Sequence, residues 1–126
     1  MFASLLQVAL GGAIGASLRF LVGVGVFRLT GPMAFPVAIL GANVVGSFLM
    51  GLFVVIAAKK GLTHLGPFVM TGLLGGFTTF SAFSLEAFTL WERGAVGHAA
   101  AYVGLSVVLS VGGLAAGVML ARAVLV

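Results

Sequence analysis

Four long apolar segments limit what this chain can fold into more than any other feature of its sequence. They cover residues 4–27, 35–58, 65–91 and 99–121. A helix that crosses the hydrocarbon core of a bilayer needs about 20 apolar residues, at a rise of about 1.5 Å each, and each segment is long enough. The connections between them hold only a handful of residues. The sequence therefore predicts an all-α integral membrane protein whose residues 1–126 form a single four-helix transmembrane domain.

The scarcity of charge supports the same fold class. Only 6% of the residues are Asp, Glu, Lys or Arg, whereas a soluble domain carries about 25%, so we expect the lipid bilayer to surround the chain. Glycine accounts for 20 of the 126 residues, and small residues let transmembrane helices approach closely. Small residues four positions apart recur in the spans: Gly11 and Gly15, Ser47 and Gly51, Gly72 and Gly76, Gly113 and Gly117. We interpret these pairs as general helix-packing positions rather than as a dimer-specific signal.

Several classes of function lack the residues that they need. The chain contains no cysteine, which excludes disulfides, thiolate metal sites and cysteine nucleophiles. Its basic residues are scattered, whereas a nucleic-acid-binding surface needs clustered Lys and Arg, so no nucleic-acid partner is expected. With two acidic residues, no GxSxG motif, and His64 and His98 both in predicted loops, we expect no enzyme active site. Since Met1–Ala3 has no basic residue and Arg19 interrupts the apolar run, we expect no cleaved signal peptide.

The charges outside the spans give almost no preference for one membrane orientation. Four spans put both termini on one side, which carries Lys59, Lys60 and Arg122, while the opposite side carries Arg28 and Arg93. Excess Lys and Arg in short loops sets orientation, and here the excess is three against two. We therefore predict that the protein inserts both ways round and pairs as an antiparallel, dual-topology homodimer. The alternative is one fixed orientation, set by the two adjacent lysines.

Polar residues inside the spans are functional candidates because they are costly in hydrocarbon. Asn43 lies near the middle of the second span; its amide either donates two N–H groups to an anion or joins two helices by a hydrogen bond. The third span carries GGFTTFSAFS at residues 75–84, where glycines followed by β-branched threonines disfavour a continuous helix. We predict a break in the middle of the membrane, with freed carbonyls able to hold a small cation. The alternative is a kinked, intact helix whose hydroxyls bond to its own carbonyls.

The same span carries an aromatic pattern. Phe77, Phe80 and Phe83 recur at a spacing of three residues, which predicts that they share one helical face. Their ring edges are the positive part of the aromatic quadrupole, so one interpretation is that they face an anion. The other is that the rings belong to the core or to the lipid-facing surface.

The remaining candidates are hydroxyls and charges within the spans. Tyr102, Ser106 and Ser110 form a stripe about 12 Å long on the fourth span, at a rise of about 1.5 Å per residue. These hydroxyls either pass an ion from site to site or bond neighbouring helices. Arg19 either supplies positive potential at a pore mouth, reaches the membrane interface, or pairs with Glu86.

The combination of Asn43 on the second span with the GGFTTFSAFS run on the third resembles the Fluc (CrcB) family of bacterial fluoride channels. The resemblance covers the whole chain in length, number of spans and motif placement. The segment GGAIGASLR at residues 11–19 is similar to the first span of that family, and Glu86 follows the third-span motif as it does there. The long third-span motif is specific, whereas the glycine pairs are not.

This resemblance implies a passive, constitutively open, fluoride-selective channel that exports cytoplasmic fluoride and so relieves its toxicity. It implies a multi-pass protein of the bacterial inner (plasma) membrane, assembled as an antiparallel homodimer with two hourglass-shaped pores at the subunit interface. A small multidrug exporter would instead need an acidic residue in the first span, which has Arg19 and no Asp or Glu. A membrane assembly subunit without transport activity is the other alternative.

The resemblance also implies roles for individual residues. Asn43 donates to fluoride, and Phe80 and Phe83 line the pore with their ring edges. The polar track consists of Tyr102, Ser106 and Ser110. A structural sodium ion lies on the dimer axis, held by the Gly75 and Thr78 backbone carbonyls of both subunits. One residue departs from the pattern: Ile39 is apolar where some relatives carry a hydroxyl, which questions the second-span end of the track.

Overall fold

A computed structural model describes residues 1–125 of the chain and is helical throughout. The helices are α1 (Phe2–Thr30), α2 (Val37–Lys60), α3 (the π-helix Pro67–Leu74 continued by the α-helical turn Gly75–Phe77), α4 (Phe80–Glu92) and α5 (Val96–Val124). A 3₁₀ turn over Thr63–Leu65 precedes α3. Helices α1, α2 and α5, together with the third span Thr63–Glu92, are each long and apolar enough to cross a membrane. The prediction of an all-α protein with four spanning helices is confirmed.

Three of the helices extend beyond the apolar segments and carry basic residues in their last turns. Arg28 lies in the last turn of α1, Lys59 and Lys60 lie in the last turn of α2, and Arg122 lies in the last turn of α5. The carboxyl end of a helix carries partial negative charge, so cations stabilise it there. Helix α2 then stops at Gly61, whose left-handed conformation (φ 69°, ψ 33°) favours glycine.

The third span is interrupted close to the middle of its length. Helix α3 ends at Phe77, and Thr78 and Thr79 are extended, with φ, ψ of −89°, 156° and −151°, 120°. Helix α4 begins immediately afterwards at Phe80. The predicted break is therefore present, and the alternative of an intact, kinked helix is wrong. The break also separates Phe77 from Phe80 and Phe83, so the prediction that the three rings share one continuous helical face is wrong.

Helices α1 and α3 lie in backbone contact through their glycines. A Cβ atom added to Gly15 would overlap the Leu73 carbonyl oxygen, and one added to Gly76 would lie 2.8 Å from the Gly12 carbonyl oxygen. Because residue 11 meets residue 72 and residue 15 approaches residues 73 and 77, the two helices run parallel. The contact therefore requires glycine at its closest points.

Helices α2 and α5 form a second parallel pair of the same kind. A Cβ atom at Gly51 would overlap the Leu114 carbonyl oxygen, and one at Gly117 would overlap the Phe48 carbonyl oxygen. The glycine pairs are thus intrachain packing positions, as interpreted from the sequence. The two parallel pairs are connected where α4 packs on α5, around a buried cluster of Phe83, Leu90, Ala99 and Tyr102.

Candidate functional site

Asn43 on α2 binds the backbone of the helix break. Its Nδ2 donates to the Thr79 carbonyl oxygen at 3.1 Å, and its Oδ1 accepts from the Thr79 N–H at 2.7 Å. The amide therefore bonds to both backbone polar groups of Thr79, as a residue of a neighbouring β-strand would. The opposite orientation of the amide would set oxygen against oxygen and N–H against N–H, so the hydrogen bonds determine which atom is which. One N–H of Nδ2 is used in this pair, and the amide has a second to offer.

The break redirects the hydrogen bonds that a continuous helix would make. In such a helix the N–H groups of Thr79 and Ala82 would donate to the Gly75 and Thr78 carbonyls. Here Thr79 donates to Asn43, and the Ala82 N–H donates to the Thr79 hydroxyl at 3.1 Å. The Gly75 and Thr78 carbonyls therefore lose their helical donors. Gly75 is itself exposed and Thr78 is half-buried.

Some hydroxyls near the break do bond back to their own helix. The Thr78 hydroxyl donates to the Leu74 carbonyl at 2.9 Å, and the Ser84 hydroxyl donates to the Phe80 carbonyl at 3.0 Å. An intact helix would show the same local bonding, and here it occurs on both sides of the break. Neither bond crosses the break, so this local bonding does not join the two half-helices.

A groove of about 270 Å³ lies beside the break, between α2, α4 and α5. It is lined by Asn43, Ser47, Thr78, Thr79, Phe80, Phe83, Ser106, Val107, Ser110 and Val111. The groove brings together five of the six residues predicted for the fluoride pathway. The sixth, Tyr102, lies behind Phe83, with the two ring centroids 5.3 Å apart.

The two phenylalanines of the groove occupy different environments. Phe80 is 78% exposed, whereas Phe83 is 8% exposed and packs in the core. Their ring centroids are 5.3 Å apart with an interplanar angle of 44°. One ring therefore belongs to the interior of the chain, and the other projects from it.

Two hydroxyls near the groove are buried without a partner. Within residues 1–125, neither the Tyr102 hydroxyl nor the Ser106 hydroxyl makes a hydrogen bond. Leaving a buried polar group unpaired costs about 1–3 kcal/mol. Ser110 lies two turns further along α5 from Tyr102 and is half-buried. Within the described residues, the stripe therefore offers two hydroxyls that neighbouring helices do not use.

The charges within the spans are not paired with each other in the described chain. Arg19 Nε donates to the Gly76 carbonyl at 3.2 Å. Arg19 also lines a second groove, of about 420 Å³, together with Phe27, Arg28 and Ile39. Glu86 is half-buried on α4. Within residues 1–125 no cluster of three His, Asp or Glu side chains is placed to hold a metal ion.

Comparison with known proteins identifies what the chain is similar to. The profile of the family described as "CrcB-like protein, Camphor Resistance (CrcB)" matches residues 6–118. A protein of Ruegeria sp. (strain TM1040), named "Fluoride-specific ion channel FluC", is 69% identical over 125 residues, covering 99% of both chains. A protein of the same name from Roseobacter denitrificans is 69% identical, covering 96% of this chain and 97% of its own. Another, from Paracoccus denitrificans, is 50% identical, covering 93% of each.

Gly46 also positions the break, although no motif in the sequence marks it. It lies one turn after Asn43 on α2, and a Cβ atom there would overlap Thr78 Cγ2. The threonine methyl thus packs against bare α2 backbone while Asn43 holds the next residue. The signal was present in the sequence as a glycine three positions after a mid-span asparagine, but it does not reveal which element lies opposite.

We predict that Gly46→Ala destabilises the protein by about 1–3 kcal/mol, the usual cost of overpacking, because the added methyl displaces Thr78. Thr78→Ser removes Cγ2 and keeps the hydroxyl that bonds to Leu74. The double variant Gly46→Ala/Thr78→Ser should therefore recover most of the lost stability. Thermal unfolding of the purified protein measures both effects. Equal destabilisation of the single and double variants would contradict the contact.

Proposed function

The chain belongs to the CrcB-like family, and from that premise we propose that it is a fluoride-selective channel through which cytoplasmic fluoride leaves passively, relieving fluoride toxicity. It is a fluoride channel and not an enzyme. The observation that carries the proposal is the groove beside the break, which gathers predicted pathway residues in a chain 69% identical to a protein named as a fluoride-specific channel. The protein is a multi-pass bacterial membrane protein, and we assign it to the inner membrane.

The proposed pathway uses neutral groups. Fluoride is small and strongly hydrated, so a pore must replace its water in several weak steps from which the ion can leave again. Asn43 has a second Nδ2 N–H to donate, and the exposed Phe80 offers a ring edge. Within residues 1–125 the Tyr102 and Ser106 hydroxyls have no hydrogen-bond partner. Ser110 continues the hydroxyls along α5, and Phe83 packs behind Phe80. None of these groups carries a charge that would trap the anion.

Arg19 and Glu86 flank this pathway as its charged residues. Arg19 lines the second groove, which extends towards Arg28 near the end of α1. That groove supplies a positive vestibule for an approaching anion. Ile39 lies in the same groove and, being apolar, offers no hydroxyl to the polar track.

We propose that the break also holds a structural sodium ion. The residues fit such an ion, because the Gly75 and Thr78 carbonyls have lost their helical donors, and carbonyl oxygens of unwound helices are suitable sodium ligands. Two carbonyls are too few to surround a cation, so both subunits would contribute them. When bound, the ion supplies fixed positive charge and ties the broken helices together. The protein's part is to hold the carbonyls in place, through Asn43 and Thr79.

The proposed assembly is an antiparallel homodimer with two pores at its interface. Several observations support it. Phe80 is 78% exposed although it lines the groove, so one chain provides only part of the wall. The sodium ion proposed above needs more ligands than the two carbonyls of one chain. The basic residues of the two membrane sides are nearly balanced, which favours insertion in both orientations.

We predict rapid fluoride efflux from liposomes that contain the purified protein, and little chloride efflux from the same preparation. A fluoride electrode and a chloride electrode measure the two fluxes, with protein-free liposomes as the control. The expected selectivity follows from the weak, neutral donors of the groove. Folded protein that passes no fluoride would contradict the proposed function while leaving the four-span fold unchanged.

We predict that Phe80→Ile slows or stops fluoride efflux, because isoleucine stays apolar but has no ring edge. The matched control is Phe88→Ile on the same helix, since Phe88 is 54% exposed and is not part of the groove wall. Efflux from liposomes compares both variants with the unmodified protein. Normal efflux by the Phe80 variant, or an equal loss in both, would remove Phe80 from the pathway.

We predict that reporters fused to the C-terminus give signal from both sides of the membrane in the same cells, as a dual-topology protein requires. Adding two lysines to the Lys59–His64 loop should move the population to one orientation. The expected consequence is less antiparallel dimer and less fluoride efflux. Signal from only one side in the unmodified protein would establish the fixed-orientation alternative.

A further inference from the structure

Arg19 is the one charged side chain, within residues 1–125, that hydrogen-bonds to the helix break. Its Nε donates to the Gly76 carbonyl at 3.2 Å, across 57 positions of sequence. In a continuous helix that carbonyl would accept from the Phe80 N–H. The break removes this donor, and the guanidinium replaces it. Gly76 thus differs from Gly75 and Thr78, whose carbonyls receive no such replacement.

The packing of α1 on α3 explains why this arginine reaches the break. Gly11, Gly15 and Arg19 follow one another at four-residue spacing and share a helical face. A Cβ atom at Gly15 would lie 2.8 Å from the Phe77 nitrogen, so the backbone of α1 touches the last turn of α3. Side chains on a helix lean towards its N-terminus, which directs Arg19 back to the level of Gly15. The carboxyl end of α3, with its partial negative charge, lies there.

We propose that Arg19 is a positioning residue of the break: its Nε–H fixes the Gly76 carbonyl on α1, so that the neighbouring Gly75 and Thr78 carbonyls remain as the ones directed to a cation. Arg19 acts through the backbone of α3 and does not itself touch the ion. The second half of this inference rests on the sodium site proposed above. The first half, the attachment of α3 to α1, does not.

A positioning role and a purely electrostatic role of Arg19 predict opposite changes in sodium affinity when the residue is substituted. If Arg19 acts only through its charge, it repels the nearby cation, and any substitution that removes the charge strengthens sodium binding. If it acts through the hydrogen bond, losing the bond weakens sodium binding. Two substitutions separate these effects. Arg19→Gln removes the charge but places an amide nitrogen the same number of bonds from the backbone as Arg Nε, so it can still donate to Gly76. Arg19→Met has a similar length and no donor.

The first experiment is hydrogen–deuterium exchange of the intact, purified protein over residues 75–82. We expect Arg19→Met to exchange about two- to tenfold faster there than Arg19→Gln, the effect of one net hydrogen bond. Arg28→Met and Arg28→Gln are the matched controls, because Arg28 lines the same groove as Arg19 and no hydrogen bond within residues 1–125 joins it to the break. The two Arg28 variants should exchange at the same rate over residues 75–82. Equal exchange by the two Arg19 variants would overturn the positioning role.

The second experiment measures how sodium raises the unfolding temperature when it replaces N-methylglucamine at constant ionic strength. We expect the apparent sodium affinity of Arg19→Met to be about two- to tenfold below that of Arg19→Gln. Two variants that both bind sodium more tightly than the unmodified protein, by equal factors, would show that Arg19 acts through charge alone. If the unmodified protein does not respond to sodium, the sodium site is wrong, and the link from Arg19 to the cation falls with it. The exchange experiment still decides whether Arg19 holds the break.

Discussion

The rest of this structure depends on one constraint: backbone N–H and C=O groups that leave a helix inside a membrane have no water to bond with. The break at Thr78–Thr79 exposes such groups in the middle of the third span. Asn43 takes both polar groups of Thr79, the Thr79 hydroxyl takes the Ala82 N–H, and Arg19 takes the Gly76 carbonyl. These side chains come from two other helices and from the break itself. The surrounding fold must hold them there.

The glycine contacts provide that support. Backbone contact between α1 and α3 brings Arg19 to the end of α3, and the bare backbone at Gly46 admits Thr78 beside Asn43. Contact between α2 and α5 then brings Ser106 and Ser110 into the same groove as Asn43. Packing and polar bonding are therefore parts of one arrangement. The glycine contacts therefore determine where Asn43 and Arg19 reach the backbone of the break.

Much of this arrangement could be predicted from the sequence. The four spans follow from apolar length and scarce charge, and the break follows from the glycines and threonines of residues 75–79, since both signals are local. The partners of the break could not be predicted, because Asn43 and Arg19 reach it across 36 and 57 positions. For Asn43 the sequence allows two interpretations, anion donor and helix link. The link is present, and the amide has a second N–H to donate. The error at Phe77 arose because periodicity assumes the continuous helix that the break removes.

The pairing of the helices also has a consequence for how the protein is made. The backbone contacts join the first span to the third and the second to the fourth, so no span has its main partner next to it in the chain. During synthesis, α1 cannot pack against α3 until the third span has been made. The glycine face of α2 likewise stays uncovered until α5 has been made. Native packing is therefore a late event in biogenesis. A nascent chain that stops after its third span lacks the helix against which Gly51 of α2 packs.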